Sequence, residues 1–390
     1  MPYAEGRTYH DADSHVMETP EWLFSFADAE LLPKLKPLAL QGVPAAKLER
    51  FMEKLNAQHV DPEYRKDDQA QLMLRKNWSA IGSFLKQDRG KALDLLGFKS
   101  QLVFNTFLSS ELQRAEHGDD AAYAYGLARA HNRSIVDFCS VDRRLLSTCY
   151  VPLRDFERAR MIAQEAIAMG ARALLVASAC PRGHSPSHLA LDPVWAQAQE
   201  AGLPIVFHVG GGGKLIDPGY FENGLPPVPD FHGGAENFRS VDYMPIPFPV
   251  IQTLSAMIFD GVLERFPRLK FGVIEQGASW VPGFMRQLDS ALLAFSRMEE
   301  RLQKLSLKPS EYVTRQVRVT PYPTEDVAWI VQQSSDEICL FSSDYPHVEG
   351  GRNPIKRFDE STAGLSDAAK QRFYADNFVD LMGPAAFSDI

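Results

Sequence analysis

Two segments from opposite ends of the chain carry side chains of the types that bind metal ions. Asp13 and His15 lie near the N terminus and flank a single residue, so on an extended strand both side chains point to the same side. Near the C terminus, Asp344 and His347 follow the apolar run 338–341. Carboxylate and imidazole groups that converge from distant segments usually belong to one site that the fold assembles. The sequence therefore predicts a metalloenzyme.

Further polar side chains follow other apolar runs. His208 follows residues 205–207, Glu275 follows residues 271–274, and Glu18 comes shortly after His15. Singly, each has a structural alternative: His208 as a core histidine, Asp344 as an Asx-turn residue, Glu18 as a helix cap. Together, four neighbouring buried carboxylates would repel unless one or two divalent cations neutralised them. The candidate ligands are Asp13, His15, Glu18, His208, Glu275, Asp344 and His347.

Eight strand-like runs alternate with helix-like segments along the chain. Several are almost continuously apolar, as expected of strands covered on both faces. This alternation predicts a parallel sheet with right-handed crossovers, and eight units predict an α/β fold of the (β/α)₈ barrel type. In such a barrel the active site lies at the C-terminal ends of the strands. The predicted strands are 9–15, 101–107, 145–152, 173–179, 204–210, 270–276, 317–321 and 338–343.

Two stretches do not fit a minimal barrel of one domain spanning 1–390. Residues 16–100 separate the first two predicted strands and are rich in charged and aromatic residues, which predicts a mostly helical insertion. Residues 211–245, after the fifth strand, contain many Gly and Pro residues without a clear period. A long irregular loop at this position is typical of a lid or a substrate wall.

Composition excludes several classes of protein. The chain has 390 residues, a hydrophobic fraction of 45% and a net charge of −9, which argues against nucleic acid or an anionic membrane as partner. No uninterrupted apolar run is long enough to cross a bilayer, and no secretory signal is visible. The four cysteines are scattered, as expected of reduced buried thiols. We therefore expect a cytoplasmic protein.

Four motifs resemble the amidohydrolase-related family, in the branch that includes aminocarboxymuconate-semialdehyde decarboxylase. They are Asp11-Ala12-Asp13-Ser14-His15, Leu191-Asp192-Pro193-Val194-Trp195, the run 204–210 and Ser342-Ser343-Asp344-Tyr345-Pro346-His347. The resemblance implies a distorted (β/α)₈ barrel, a catalytic divalent metal, and a homodimer or related oligomer. It also implies metal ligands equivalent to Asp13, His15, His208 and Asp344.

The sequence departs from the decarboxylase pattern at two positions. The first strand carries Asp13-x-His15, where many members have His-x-His or Glu-x-His, and Glu275 stands where those decarboxylases usually have a histidine. A carboxylate cannot donate a proton as a cationic histidine does, and it would repel a substrate carboxylate unless a metal intervened. Glu275 could therefore be a ligand, with Glu18 and His347, of a second metal ion. A site of this composition suits Zn, Mn or Fe.

Three functions remain open at this stage. The first is a metal-dependent hydrolase or carboxy-lyase, in which Asp344 is ligand and general base while Glu275 or His347 relays the proton. The second is a dinuclear non-haem iron monooxygenase (Fe/Fe or Fe/Mn) built on the same ligands, as in some members of the superfamily. The third is a barrel that has lost catalysis and serves as a structural subunit. The complete ligand set argues against this last possibility.

A small organic molecule is the expected substrate. Arg182, after the fourth strand, could bind a substrate carboxylate, and His184 in the same loop could contact substrate. Aromatic residues in the loops predict an apolar or aromatic substrate. The predicted pocket walls are Trp22, Phe104, Phe107, Tyr220, Phe221, Phe231, Phe238, Tyr243 and Tyr322.

Overall fold

The computed structural model describes residues 1–40, 43–210, 215–227 and 239–387. Within these ranges, seven strands form one parallel sheet in which each strand pairs with the next along the chain. Such an order of parallel strands with helical connections is that of a TIM-barrel-like α/β fold. The strands are β1 (His10–Val16), β2 (Ser100–Asn105), β3 (Leu145–Tyr150), β4 (Ala173–Leu175), β5 (Ile205–His208), β6 (Phe271–Ile274) and β7 (Val317–Val319).

The predicted eighth strand, 338–343, is not a regular strand. Its segment forms single bridges to its neighbours, Val319 with Cys339 and Ser14 with Tyr345. Asp344, directly after this segment, has a φ of +52°, so the extended backbone ends there. The segment nevertheless joins β7 to β1, since Leu340 N–H donates to Val319 C=O at 2.9 Å and Ala12 N–H donates to Phe341 C=O at 3.0 Å.

Helices connect the strands and cover the outer face of the sheet. Those before β2 are α1 (Leu48–Val60), α2 (Pro62–Arg65), α3 (Asp68–Gln71) and α4 (Lys86–Leu96). The others are α5 (Leu108–His117), α6 (Ala121–Cys139), α7 (Phe156–Ala168), α8 (Asp192–Ala201), α9 (Ser240–Tyr243), α10 (Phe248–Phe259), α11 (Val262–Arg265), α12 (Val281–Phe295), α13 (Glu300–Gln303), α14 (Pro309–Gln316), α15 (Val327–Gln333), α16 (Pro354–Ser361), α17 (Asp367–Gln371) and α18 (Asn377–Met382).

Local sequence signals explain the ends of several of these helices. The Asp155 side chain accepts the N–H of Arg158 at 2.9 Å and so caps the start of α7. Helix α8 ends at Gly202, whose φ of +67° is the left-handed conformation that glycine adopts at low cost. In the described part of the chain, no helix has both the length and the apolar character needed to cross a membrane.

The stretch between β1 and β2 mixes helices α1–α4 with turns at Leu32–Lys34, Ala45–Lys47 and Asn77–Ser79. It has a small apolar cluster of its own, in which Phe51 packs edge-on against Trp78 and Trp78 stacks on Phe107. Phe107 follows β2, so this contact ties the insertion to the C-terminal end of the sheet. In the predicted loop 211–245, residues 211–214 and 228–238 lie outside the described residues.

Candidate metal centre

Four predicted ligands from three strands meet at the C-terminal end of the sheet. One ligand atom from each of Asp13, His15, His208 and Glu275 lies within 4.8 Å of the others. His15 Nε2 and His208 Nε2 lie 3.2 and 3.4 Å from Asp13 Oδ1, and His208 Nε2 lies 3.2 Å from Glu275 Oε2. Asp13 and His15 share a side of β1 in spite of a register shift between Asp11 and Ser14.

The backbone determines which ring nitrogen of each histidine faces the centre. His15 Nδ1 lies 3.0 Å from the carbonyl oxygen of Asn105, and His208 Nδ1 lies 3.1 Å from that of Val209. A carbonyl oxygen can only accept, so each Nδ1 carries the proton and each Nε2 presents a lone pair to the centre. This is how a metal-binding histidine is usually oriented.

Asp344 and His347 also contact His15: Asp344 Oδ1 lies 3.5 Å from its Nε2, and the His347 ring stacks on its ring with the centroids 3.9 Å apart. The ligand atoms of His15, Asp344 and His347 form a second group within 4.8 Å of one another. His347 Nδ1 lies 3.0 Å from Asp344 Oδ1, and its Nε2 lies 2.9 Å from the Thr106 hydroxyl. Since His15 belongs to both groups, the two sets of ligands are continuous.

Two of the carboxylate residues have a backbone conformation that L-residues rarely adopt. Glu275 and Asp344 have φ values of +55° and +52°; Glu275 directly follows β6, and Asp344 comes two residues after the apolar run 338–341. A non-glycine residue in this region costs on the order of 1–3 kcal/mol and persists only where the surroundings enforce it. Both turns point the carboxylate into the centre, so the strain is part of the site's construction.

Burial and neighbouring rings set the protonation of the centre. Burial, with a further contribution from His347, lowers the pKa of His15 to about 4. Burial alone would raise the pKa of Asp13, but the neighbouring His15 and His208 side chains outweigh it and hold the pKa below its usual range. At neutral pH the centre therefore combines an ionised carboxylate with a neutral imidazole, the forms that bind a cation.

Glu18 is not among the ligands that the structure brings together. Its fully buried carboxylate accepts the backbone N–H groups of Thr106, Phe107 and Leu108, with N···O distances from 3.0 Å. It thus caps the start of α5, so the helix-cap alternative agrees with its contacts, although the capped helix begins at Leu108 and not directly after Glu18; the predicted metal role does not agree with them. Burial raises the pKa of Glu18, although these hydrogen bonds act to lower it.

The centre opens into a cavity of about 920 Å³ with a mostly apolar wall. Of the predicted wall residues, Phe107, Tyr243 and Tyr322 line it. Phe104 packs against the His208 ring, with the ring centroids 4.5 Å apart, and Trp22 donates to the Ser134 hydroxyl behind the wall. Tyr220 and Phe221 lie in a short helical turn that does not line this cavity, and Phe231 and Phe238 lie outside the described residues.

The predicted carboxylate-binding residues lie elsewhere. Arg182 is bound to the carbonyl oxygen of Gly118 and to Asp119, and His184 packs against Phe156. Neither lines the cavity, because the loop after β4 folds outward over α5. The cations that do line it are Lys34, Lys36, Arg114 and Arg357, and no strand-end pattern marks them in the sequence.

The residues fit a divalent cation. His15 Nε2 and Asp344 Oδ1 are buried, lie 3.5 Å apart and make no hydrogen bond within the described part of the chain, although Nε2 also lies 3.2 Å from Asp13 Oδ1 and Oδ1 lies 3.0 Å from His347 Nδ1. Buried acceptor atoms this close together are costly, and a shared cation removes the cost. Carboxylate and imidazole donors without a thiolate suit Zn, Mn or Fe.

The amidohydrolase family model matches residues 12–380, which include every ligand described above. The chain belongs to the amidohydrolase family. No curated protein matched the sequence. A solved amidohydrolase from Mycobacterium avium subsp. paratuberculosis is similar to it, with 22% identity over 97% of this chain and 100% of that one and a TM-score of 0.71.

Two solved decarboxylases share the amidohydrolase fold. One is 5-carboxyvanillate decarboxylase from Novosphingobium aromaticivorans, complexed with manganese and 4-hydroxy-3-methoxy-5-nitrobenzoic acid (16% identity, 97% and 96% coverage, TM-score 0.63). The other is a dihydroxybenzoic acid decarboxylase from Polaromonas sp. JS666 with bound manganese and 2-nitroresorcinol (14% identity, 97% coverage of each chain, TM-score 0.59). At these identities the likeness is evidence for the fold alone.

Sequence reasoning missed two residues that support the ligands, Asn105 and Thr106, which orient His15 and His347 from the end of β2. Their position at the end of the predicted strand 101–107 was the available signal. For Asp11 the sequence predicts a hydrogen bond to the backbone, and Asp11 is fully buried and accepts the N–H and hydroxyl of Ser343. Burial raises the pKa of Asp11 to about 7.

Proposed function

We propose that this amidohydrolase is a metal-dependent carboxy-lyase or hydrolase that acts on a small organic acid, with decarboxylation as the first reaction to test. The observation that carries the proposal is the pair of buried ligand atoms, His15 Nε2 and Asp344 Oδ1, that lie 3.5 Å apart without a hydrogen bond inside a cluster of carboxylates and imidazoles. A purely structural role does not account for such a cluster at the mouth of a cavity.

In this proposal one divalent metal ion is held by Asp13, His15, His208, Asp344 and Glu275. When bound, the metal would act as a Lewis acid toward the substrate or lower the pKa of a water molecule to about 7. Asp344 would also accept a proton at Oδ1, 3.0 Å from His347 Nδ1, so His347 could pass the proton onward. The hydroxyl of Thr106 would hold the other ring nitrogen of His347 in place.

The substrate class follows from the cavity and from the relatives. Phe107, Tyr243 and Tyr322 offer flat apolar surfaces beside the centre, and an aromatic or conjugated ring would pack on them. The solved decarboxylases named above bind substituted benzoic acids or a nitroresorcinol with manganese. Decarboxylation of a hydroxylated aromatic acid is therefore the reaction that these relatives favour.

The test is release of CO₂ from a panel of hydroxybenzoates and conjugated acids by protein loaded with Mn²⁺. Matched samples are chelated protein, Mn²⁺-loaded Asp344→Asn, and ester and lactone substrates for the hydrolase alternative. Metal-dependent release by the wild type, absent in Asp344→Asn, supports the proposal. Release that persists equally in both proteins, or a folded wild type that binds no metal, contradicts it.

A second candidate is the dinuclear iron monooxygenase, for which the second ligand group offers a place for a second metal ion but no preference for iron. His15 presents one nitrogen to the centre, and one imidazole nitrogen binds one ion, so two metals would have to divide the ligands. His15, Asp344 and His347 would hold one ion, and Asp13, His208 and Glu275 the other. In that case Glu275→Gln would lose about half of the bound metal. Unchanged stoichiometry would exclude this candidate.

A further inference from the structure

Glu275 lies at the end of β6 in a strained conformation that residues of the next strand enforce. Its backbone N–H donates to the Thr320 hydroxyl at 2.7 Å, and its C=O accepts the Tyr322 hydroxyl at 2.9 Å. Both partners come from the segment that leaves β7, and Thr320 N–H bonds back to Val273 C=O at 3.0 Å. The peptide groups on both sides of Glu275 are thus held by side chains rather than by the sheet.

The turn after Glu275 is held by the same segment. Glu325 accepts the N–H groups of Ala278, Ser279 and Tyr322, with N···O distances down to 2.7 Å. Gly277 has a φ of +67°, and a Cβ there would lie 2.9 Å from the Tyr322 ring. The Tyr322 ring therefore packs directly on the turn, which leaves little room for Glu275 to relax.

The hydrogen bonds of Glu275 differ from those of a regular sheet ladder. In a regular ladder between β6 and β7, the Glu275 N–H would donate to a backbone carbonyl. Glu275 would then be extended, and its carboxylate would point away from His208. The hydroxyl of Thr320 replaces that carbonyl and permits the φ of +55°. In this conformation Glu275 Oε2 reaches His208 Nε2 at 3.2 Å.

From this geometry we propose that Thr320 and Tyr322 are positioning residues that hold the Glu275 carboxylate at the metal centre. The proposal rests on the metal-dependent function proposed above. It adds that the strength of metal binding is determined by two hydroxyl groups that do not touch the metal. Outer residues that orient a ligand typically change metal affinity 10–100-fold when they are removed.

The test compares Mn²⁺ dissociation constants, measured by calorimetry, with the visible spectrum of the Co²⁺-loaded protein. Thr320→Val removes the hydroxyl and keeps the shape, whereas Thr320→Ser keeps the hydroxyl. We expect Thr320→Val and Tyr322→Phe to weaken Mn²⁺ binding about 10-fold or more and to alter the Co²⁺ spectrum. Thr320→Ser should stay within about 3-fold of the wild type.

Matched controls come from hydroxyl groups of the same kind away from the centre. The Thr148 hydroxyl donates to the Val103 carbonyl at 2.8 Å on β3, and the Tyr125 hydroxyl donates to the Pro152 carbonyl at 2.9 Å. Thr148→Val and Tyr125→Phe should lower the melting temperature and leave Mn²⁺ affinity and the Co²⁺ spectrum unchanged.

Each outcome has a separate meaning. If the wild type binds no Mn²⁺ at the centre, both the proposed function and this inference fail. If the wild type binds Mn²⁺ and Thr320→Val binds it equally well, or Thr320→Ser is as weak as Thr320→Val, the inference fails and the proposed function stands. Should Thr320→Val not fold, Tyr322→Phe decides by the same criterion, since it removes one oxygen atom and keeps the ring.

Discussion

The two ends of the barrel differ in how their charged side chains are neutralised. At the N-terminal end, the nearly buried Arg318 pairs with Asp380 at 2.5 Å, and Lys270 donates to the same carboxylate at 2.8 Å. At the C-terminal end, Asp13, Glu275 and Asp344 face imidazole rings. One end pairs opposite charges within the protein, which stability alone explains. The other collects like charges and requires a cation from outside.

The largest effect should come from removing one of the like charges. Asp344→Asn keeps the shape of the side chain but removes a ligand and the proposed base, so we expect a loss of roughly 1000-fold in kcat together with most of the metal affinity. The melting temperature of the metal-free variant should equal or exceed that of the metal-free wild type, because carboxylate repulsion is relieved. A variant that retains near wild-type turnover would show that Asp344 has no role in the reaction.

Removing the metal tests, without a mutation, whether the like charges at the C-terminal end require a cation. A cation that binds the folded state alone at about 1000 times its dissociation constant stabilises that state by about 4 kcal/mol. Chelation should therefore lower the melting temperature of the wild type, and Mn²⁺ should restore it. In Asp344→Asn both shifts should be much smaller. Equal shifts in the two proteins would place the stabilising metal elsewhere.

At the opposite end, a substitution should affect stability and not metal binding. Arg318→Met leaves the carboxylates of Asp380 and Glu337 without their buried partner, but both are partly exposed, so we expect a loss of about 2 kcal/mol. Mn²⁺ affinity should be unchanged. Urea denaturation and calorimetry measure the two quantities, and a metal affinity that falls with stability would mean that the two ends are coupled.

Glu18 lies near the metal centre, but its carboxylate finds its partners within the protein, as the charges at the opposite end do. Glu18→Gln replaces one acceptor oxygen with a donor that faces the N–H groups at the start of α5, which should cost about 1–2 kcal/mol. Bound metal per chain should not change. A clear loss of metal in a protein of normal stability would return Glu18 to the ligand set.

The sequence predicted the metal-binding end of this comparison, where side chains follow strand periodicity. Asp13 and His15 lie on a predicted strand, and His208, Glu275 and Asp344 come at or shortly after the ends of apolar runs, so their meeting at one end of the barrel follows from the topology. The parallel order of the seven described strands was predicted for the same reason.

Other expectations depended on information that a linear pattern does not contain. The eighth predicted strand is an irregular segment with single bridges to its neighbours, at Cys339 and Tyr345. Glu18 was engaged by N–H groups of residues 106–108, almost ninety positions away. Arg182 binds Gly118 and Asp119, because its loop runs away from the cavity. Each of these outcomes depends on contacts between segments that are distant in the sequence.

The most direct test of the account is the metal content of the purified protein, measured by inductively coupled plasma mass spectrometry after loading and gel filtration. We expect about one Mn or Zn per chain in the wild type, and well below half of that in Asp344→Asn. About two metals per chain with substantial iron would favour the dinuclear oxygenase. A folded wild type that retains no divalent metal would contradict the account.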